Sequence, residues 1–228
     1  MGTQSYLIDQ ITNRSIDVIR VANNTAASNS IGLFSLYRDI MRQLEKTPSS
    51  KWYQLAKDVE ALLQNEMRGV VKEVKADLAE FAVIESQFAV NLLATATVVS
   101  FDELKTPSEL ILATFTKEPI NHFVEGKKIT TPTVDSLLRK LTTKNPRLVR
   151  NIIRDAALTG KTAKQISGEI KKLAVDASKR DIESATLTSF NHISNQAKQA
   201  VYSANDDILE GVRIIATLDS KTTIICMG

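Results

Sequence analysis

The sequence is poor in the residues that break or staple a fold. Among 228 residues there are one cysteine, five prolines, eight glycines and two histidines, and aromatics make up only 5%. A single cysteine, Cys226, excludes an intrachain disulfide and an all-cysteine metal site within the chain. Its thiol reads as a small buried hydrophobe or an incidental group. So little glycine and proline argues against a loop-rich or all-β architecture. His122 and His192 do not stand one helical turn apart, as a helical metal pair requires. Gly160-Lys161-Thr162 matches the end of a phosphate loop, but the earlier glycine is missing, and the tripeptide reads as a turn between helices. A serine nucleophile elbow is absent as well. Residues 1–6 lack a basic stretch leading into an apolar run, so no secretory leader is expected. The apolar run over 88–99 is too short to span a bilayer. The expectation is a soluble protein made in a cytoplasm, with no catalytic residue, no metal, no cofactor and no membrane partner.

What is present favours helix. Alanine, leucine, isoleucine, lysine and glutamine are frequent. Tyr6, Leu7, Ile11, Ile16, Val18 and Ile19 recur near helical spacing and predict a first helix over 5–25. The small, polar run 23–30 predicts a loop. Ser30 then caps a second helix with Leu33, Leu36, Tyr37, Ile40, Met41 and Leu44 on one face. Thr47-Pro48-Ser49-Ser50 ends that helix and opens the next. From Trp52 to Leu92 an apolar stripe continues for roughly 40 residues without proline, on the order of 60 Å of helix. Two readings stand: a long arm folded on the first two helices, or a rod packed against copies of itself or a ring-shaped partner.

Several short helices follow, each with a start signal. Thr106-Pro107-Ser108-Glu109 combines a cap, a first-turn proline and a capping-box glutamate, and Thr131-Pro132 and Asn145-Pro146 repeat the cap-plus-proline pair. Val124-Glu125-Gly126-Lys127 reads as a turn. Gly160 closes the helix begun at Asn145, and Thr162 with Gln165 opens another. A last long helix is predicted over 176–204. Beyond Gly211 the β-branched run 212–218, a turn at 219–223 and Ile224-Ile225-Cys226 predict a β-hairpin. The expected fold class is mainly α: long N-terminal helices (1–100), a middle set of short helices (101–175) and a small α+β module with a β-hairpin (176–228).

Charge is unevenly placed. The net charge is +3 overall, but −4 over 1–126, +10 over 127–180 and −3 thereafter. Arg147, Arg150 and Arg154 recur near helical spacing on one segment, and Lys161, Lys164, Lys171 and Lys172 lie on the next. Converging, these seven would displace counterions from phosphates and bind double-stranded DNA without reading its sequence. Failing that, they are a solvated helical face. No aromatics are interleaved, which argues against stacking on single strands. The same block also admits an alternative, a helix-turn-helix DNA-binding regulator, with 145–158 and 162–173 about the Gly160 turn.

The last quarter carries a family signature. Thr188, Asn195, Ala197 and Tyr202 lie along the predicted final helix, and the strand-like Ile215-Ala216-Thr217-Leu218 leads into Asp219, Lys221, Thr222 and Cys226. This arrangement resembles the Mu F-like head-morphogenesis (minor head) proteins of tailed bacteriophages, whose pattern is a helix with Arg-Thr-Glu, Asn, Ala and Tyr, a strand, then Asp-x-Arg-Thr-x-x-x-Cys and a closing Asp-Gly. Leu187 and Ser189 stand where that pattern has Arg and Glu, Lys221 replaces Arg, and the closing Asp-Gly would fall after Gly228. Asp219 and Thr222 suit a turn in which side chains bond the local backbone, so a structural hairpin is preferred to a metal or catalytic site. The resemblance implies a structural virion component bound at or near the portal, acting in head morphogenesis and in DNA packaging or ejection. Implied partners are the portal protein, other virion proteins and further copies of the chain.

Overall fold

The computed structural model describes residues 3–97, 100–112, 114–124 and 127–209. It is a mainly α-helical chain in the order α1 (Thr3–Lys46), α2 (Trp52–Ala96), α3 (Glu109–Leu112), β1 (Pro119–Val124), β2 (Lys127–Thr133), α4 (Val134–Thr159), α5 (Ala163–Glu169) and α6 (Asp176–Ala204). Single 3-10 turns lie at Ser49–Lys51, Phe101–Glu103 and Phe115–Lys117, and a π-helical turn, Ile170–Val175, joins α5 to α6. The hairpin predicted beyond Gly211 lies outside the described residues.

The N-terminal region differs from the expectation of two helices. Residues 3–46 form one helix, with no loop at 23–30. No proline interrupts it, and the small residues serve packing instead of a turn. Ala22, Ala26 and Ser30 are buried one turn apart, and the Ser30 hydroxyl donates back to the Ala26 carbonyl at 2.5 Å. Ser30 therefore sits inside the helix rather than capping one. Gly32 faces the Glu66 carboxylate of α2, where a Cβ would collide. The α1–α2 turn falls at Thr47-Pro48 as predicted, and the Trp52 indole N–H pins it by donating to the Thr47 carbonyl at 2.9 Å.

α2 is the central helix, packed against α1, α4 and α6. Val59, Leu63, Met67, Val70, Val74 and Leu78 step along its buried stripe at helical intervals. By length and composition the helical run Ser49–Ala96 is long and apolar enough to cross a membrane, a property the shorter window 88–99 does not reveal. Here its stripe is covered by Leu33 and Tyr37 of α1, Val149 and Ile153 of α4, and Phe190 and Ile193 of α6, all in one core cluster. Phe81 and Phe190 meet with ring centroids 4.8 Å apart, a favourable tilted pair. That cluster draws residues from α1, α2, the β1 strand and every later helix.

The middle region also departs from expectation. Two strands not expected from the sequence, β1 and β2, stand on either side of residues 125–126, paired antiparallel from Pro119↔Thr133 to Val124↔Lys127 with an irregularity between Pro119 and Asn121; the turn predicted at 124–127 falls in part outside the described residues. The α4 cap is Thr133, not Thr131: its hydroxyl accepts from the Ser136 N–H at 3.2 Å, while Pro132 remains in β2. Asn145-Pro146 does not open a helix. Pro146 lies buried inside α4, which is continuous from Val134 to Thr159. The lost helical hydrogen bond is local, whereas packing against α2 and α6 extends along the whole helix.

Gly160 does close α4, in the left-handed conformation with φ 69°. Thr162 and Gln165 then form a reciprocal capping box. The following helix does not stop near 173 but runs through the π turn to Ala204. Ile166, Ile170, Ala174 and Ser178 are buried at steps of four. In a straight α-helix such steps drift by roughly 40° each, and the wider π turn holds them on one line.

Candidate functional site

The predicted basic residues meet different fates. Arg150 turns from solvent toward α2, where its guanidinium donates to Glu60 at 3.0 Å, and it also donates to the side chain of its α4 neighbour Asn151 at 3.3 Å. Lys161, just after Gly160, reaches along α5 to Glu169 at 2.6 Å. Both are engaged in ties that hold the fold. Arg154 makes only a loose contact with Asp155 at 3.5 Å, both partners exposed, an arrangement worth little. Arg147, Lys164, Lys171 and Lys172 are exposed and in no ion pair among the described residues. Arg147 and Arg154 are seven residues apart on the outer face of α4, and exposed Lys140 extends that line one heptad earlier.

Thr188, Asn195 and Tyr202 are also spaced by seven and so share one face of α6. Thr188 lines a hollow of about 300 Å³ between α4 and α6, beside Leu141, Lys144 and Asp181. Asn195 is exposed, whereas Tyr202 is half-buried against the small second core formed with Ala89, Val90 and Leu104. Burial pushes the Tyr202 phenol above its usual pKa. Asp219, Lys221, Thr222 and Cys226 lie outside the described residues.

Two charged arrangements were missed in the sequence. Glu85 of α2 is fully buried and is the hub of a four-residue cluster. Its carboxylate accepts from Arg14 Nε at 2.5 Å and Ser194 Oγ at 2.6 Å, with Lys198 Nζ at 3.4 Å. The Arg14 guanidinium stands 5.4 Å from the Phe88 ring centroid and 5.8 Å from that of Phe81, within cation–π range. This knot joins α1, α2 and α6. A glutamate in the apolar stripe between Phe81 and Ala89 was the available signal.

The second is a cleft of about 550 Å³ between α2 and the first half of α4. Arg68, Lys75, Lys117 and Arg139 line it together with one carboxylate, Asp135. Arg68 and Lys75 come from the stretch that is acidic overall, which hid them from a window-by-window charge reading.

His192 is buried on α6, and burial lowers its pKa below 6.5 against the opposing effects of a hydrogen bond to the Phe115 backbone and the charge of Glu118. No group of three or more His, Cys, Asp or Glu side chains suited to a metal ion occurs among the described residues. No protein-family model, curated protein or solved structure matches this chain.

Proposed function

We propose that this chain is a non-catalytic structural component of a tailed-phage particle, seated at or near the portal and acting in head morphogenesis and DNA packaging or ejection. The observation that carries the reading is the pairing of α1 and α2, helices of 44 and 45 residues. At 1.5 Å per residue each is about 66 Å long. A compact domain of this chain length has a radius of gyration of about 17 Å, or about 45 Å across. Helices that overrun a compact body suit a part whose length spans or braces an assembly. The signature residues Thr188, Asn195 and Tyr202 on one α6 face, followed in sequence by Asp219, Lys221, Thr222 and Cys226, support the same class.

In this reading the exposed Arg147, Lys164, Lys171 and Lys172 contact DNA through phosphates, without sequence selection. The helix-turn-helix alternative finds less support, because the helix after Gly160 does not end near 173 but runs on through the π turn to Ala204.

The test is co-expression with the portal protein of the same genome, followed by gradient sedimentation. Co-migration with the portal ring is expected. A chain that sediments alone, as a free monomer, would overturn the reading.

A further inference from the structure

The α2–α4 cleft is distinguished by the imbalance of its walls. Lys75 Nζ lies 2.8 Å from the Asp135 carboxylate, so these two neutralise each other. Arg68, Lys117 and Arg139 remain, exposed and in no ion pair among the described residues. Arg68 rises from α2, Arg139 from α4, and Lys117 from the 3-10 turn before β1. Three like charges around one concavity repel each other, and a low-dielectric wall focuses their field into the opening. α4 begins at Val134, beside the cleft residue Thr133, so its positive end adds potential of the same sign. Guanidinium groups suit oxyanions with paired acceptors, which they bind through two parallel hydrogen bonds.

We propose that this cleft is a binding site for phosphoryl oxyanions, gripped by Arg68 and Arg139 from opposite walls with Lys117 as the third charge. The inference deepens the nucleic-acid part of the function proposed above, in which the phosphates belong to a DNA backbone. Free polyphosphate is the other source of the same chemistry.

The experiment uses the full chain, the double variant Arg68→Gln/Arg139→Gln, the single variant Lys117→Gln, and Lys171→Gln/Lys172→Gln for comparison. The probes are sodium pyrophosphate, read by thermal shift, and a short fluorescein-labelled random duplex, read by anisotropy across a salt series. Among the described residues the substituted cations make no ion pair, so melting without ligand should be unchanged. Lys117→Gln alone carries the test if the double variant does not fold. Pyrophosphate should raise the melting midpoint of the parent but not of the double variant. Duplex affinity at low salt should fall about tenfold, and the logarithmic salt slope should shrink by about one per cation removed.

Pyrophosphate binding without duplex binding would support the site, make free phosphate its source and sink the nucleic-acid reading. Duplex binding that survives in the cleft variants and is lost only in Lys171→Gln/Lys172→Gln would overturn the cleft and leave the nucleic-acid reading standing. No effect of either ligand on the parent would overturn both.

Discussion

Replacing Glu85 by glutamine keeps the shape of the side chain and removes the one negative charge that Arg14 and Lys198 share. Glu85 is fully buried, while the Arg14 and Lys198 side chains are only 19% and 20% exposed. Breaking a buried pair by deleting one partner costs about 3–5 kcal/mol, because the remaining charge is left uncompensated. Here two long cations can swing their heads toward solvent, which lowers the expected loss to about 2–3 kcal/mol. For a chain of this size that corresponds to a drop of about 4–12 °C in melting midpoint. Urea denaturation of Glu85→Gln, Arg14→Met and their double variant isolates the pair, and a coupling of at least about 1 kcal/mol is expected. Replacing all three charged residues by methionine should restore much of the loss, since well-packed apolar groups often match a buried ionic cluster. If Glu85→Gln unfolds within about 0.5 kcal/mol of the parent, or the cycle shows no coupling, the cluster is not a tie between α1, α2 and α6.

Three further outcomes are expected. Tyr37 is buried with its hydroxyl 2.8 Å from Ser178 Oγ, and burial pushes its pKa from 10.0 up to about 12. A raised phenol pKa contributes stability that is complete below pH 10 and is lost as pH rises toward 12, here about 2–3 kcal/mol. Denaturation at neutral and alkaline pH should show that loss in the parent and not in Tyr37→Phe, which instead costs about 1–2 kcal/mol at neutral pH by stranding Ser178. His192 is shifted the other way, so its contribution is present above pH 6.5 and lost as pH falls below it. His192→Gln should flatten the acid limb of the stability curve below pH 6.5, and an unchanged limb would assign it to other groups. Gly69 lies exposed inside α2 with nothing within 4 Å of an added Cβ. Gly69→Ala should therefore stabilise by about 1 kcal/mol through helix propensity, read as a calorimetric rise of about 2–4 °C.

Sequence signals worked where one residue type has one physical use. Gly160 is the one glycine with a positive φ among the described residues, and it ends α4 as the pattern required. The Thr162–Gln165 box closes on both sides, and the α2 stripe runs nearly its predicted length. Signals failed where a residue has two uses and distant packing chooses between them. Ser30 can cap a helix or bond back within one, and the buried neighbours Ala26 and Leu33 select the second. Pro146 can start a helix or be tolerated inside it. Val149, Ile152 and Ile153 beyond it and Leu138 and Leu141 before it belong to one core face, so the helix continues. The β1–β2 pair escaped because its first strand, Pro119 to Val124, mixes proline, asparagine and histidine with its apolar residues and shows no clean alternation.

The candidate site was legible only in part, for a reason that lies in how charge is sampled. A window along the chain adds residues that are close in sequence, whereas a field adds residues that are close in space. Over 127–180 the window found real cations, but Arg150 and Lys161 have their charges met by Glu60 and Glu169. Glu60 lies 90 residues from Arg150 and belongs to another window. The converse holds at the cleft, where Arg68 and Lys75 escape notice because their sequence neighbours Glu66, Glu73 and Asp77 balance them. On a helix those acids are spread to other faces, so only the cations line the cleft beside Arg139 and Lys117. The acidic stretch 1–126 thus supplies three of the four cations, Arg68, Lys75 and Lys117, that line this cleft. Mutating Arg68 therefore tests the cleft apart from the exposed cations Arg147, Lys164, Lys171 and Lys172, which lie on α4 and the helix after Gly160 and do not line it.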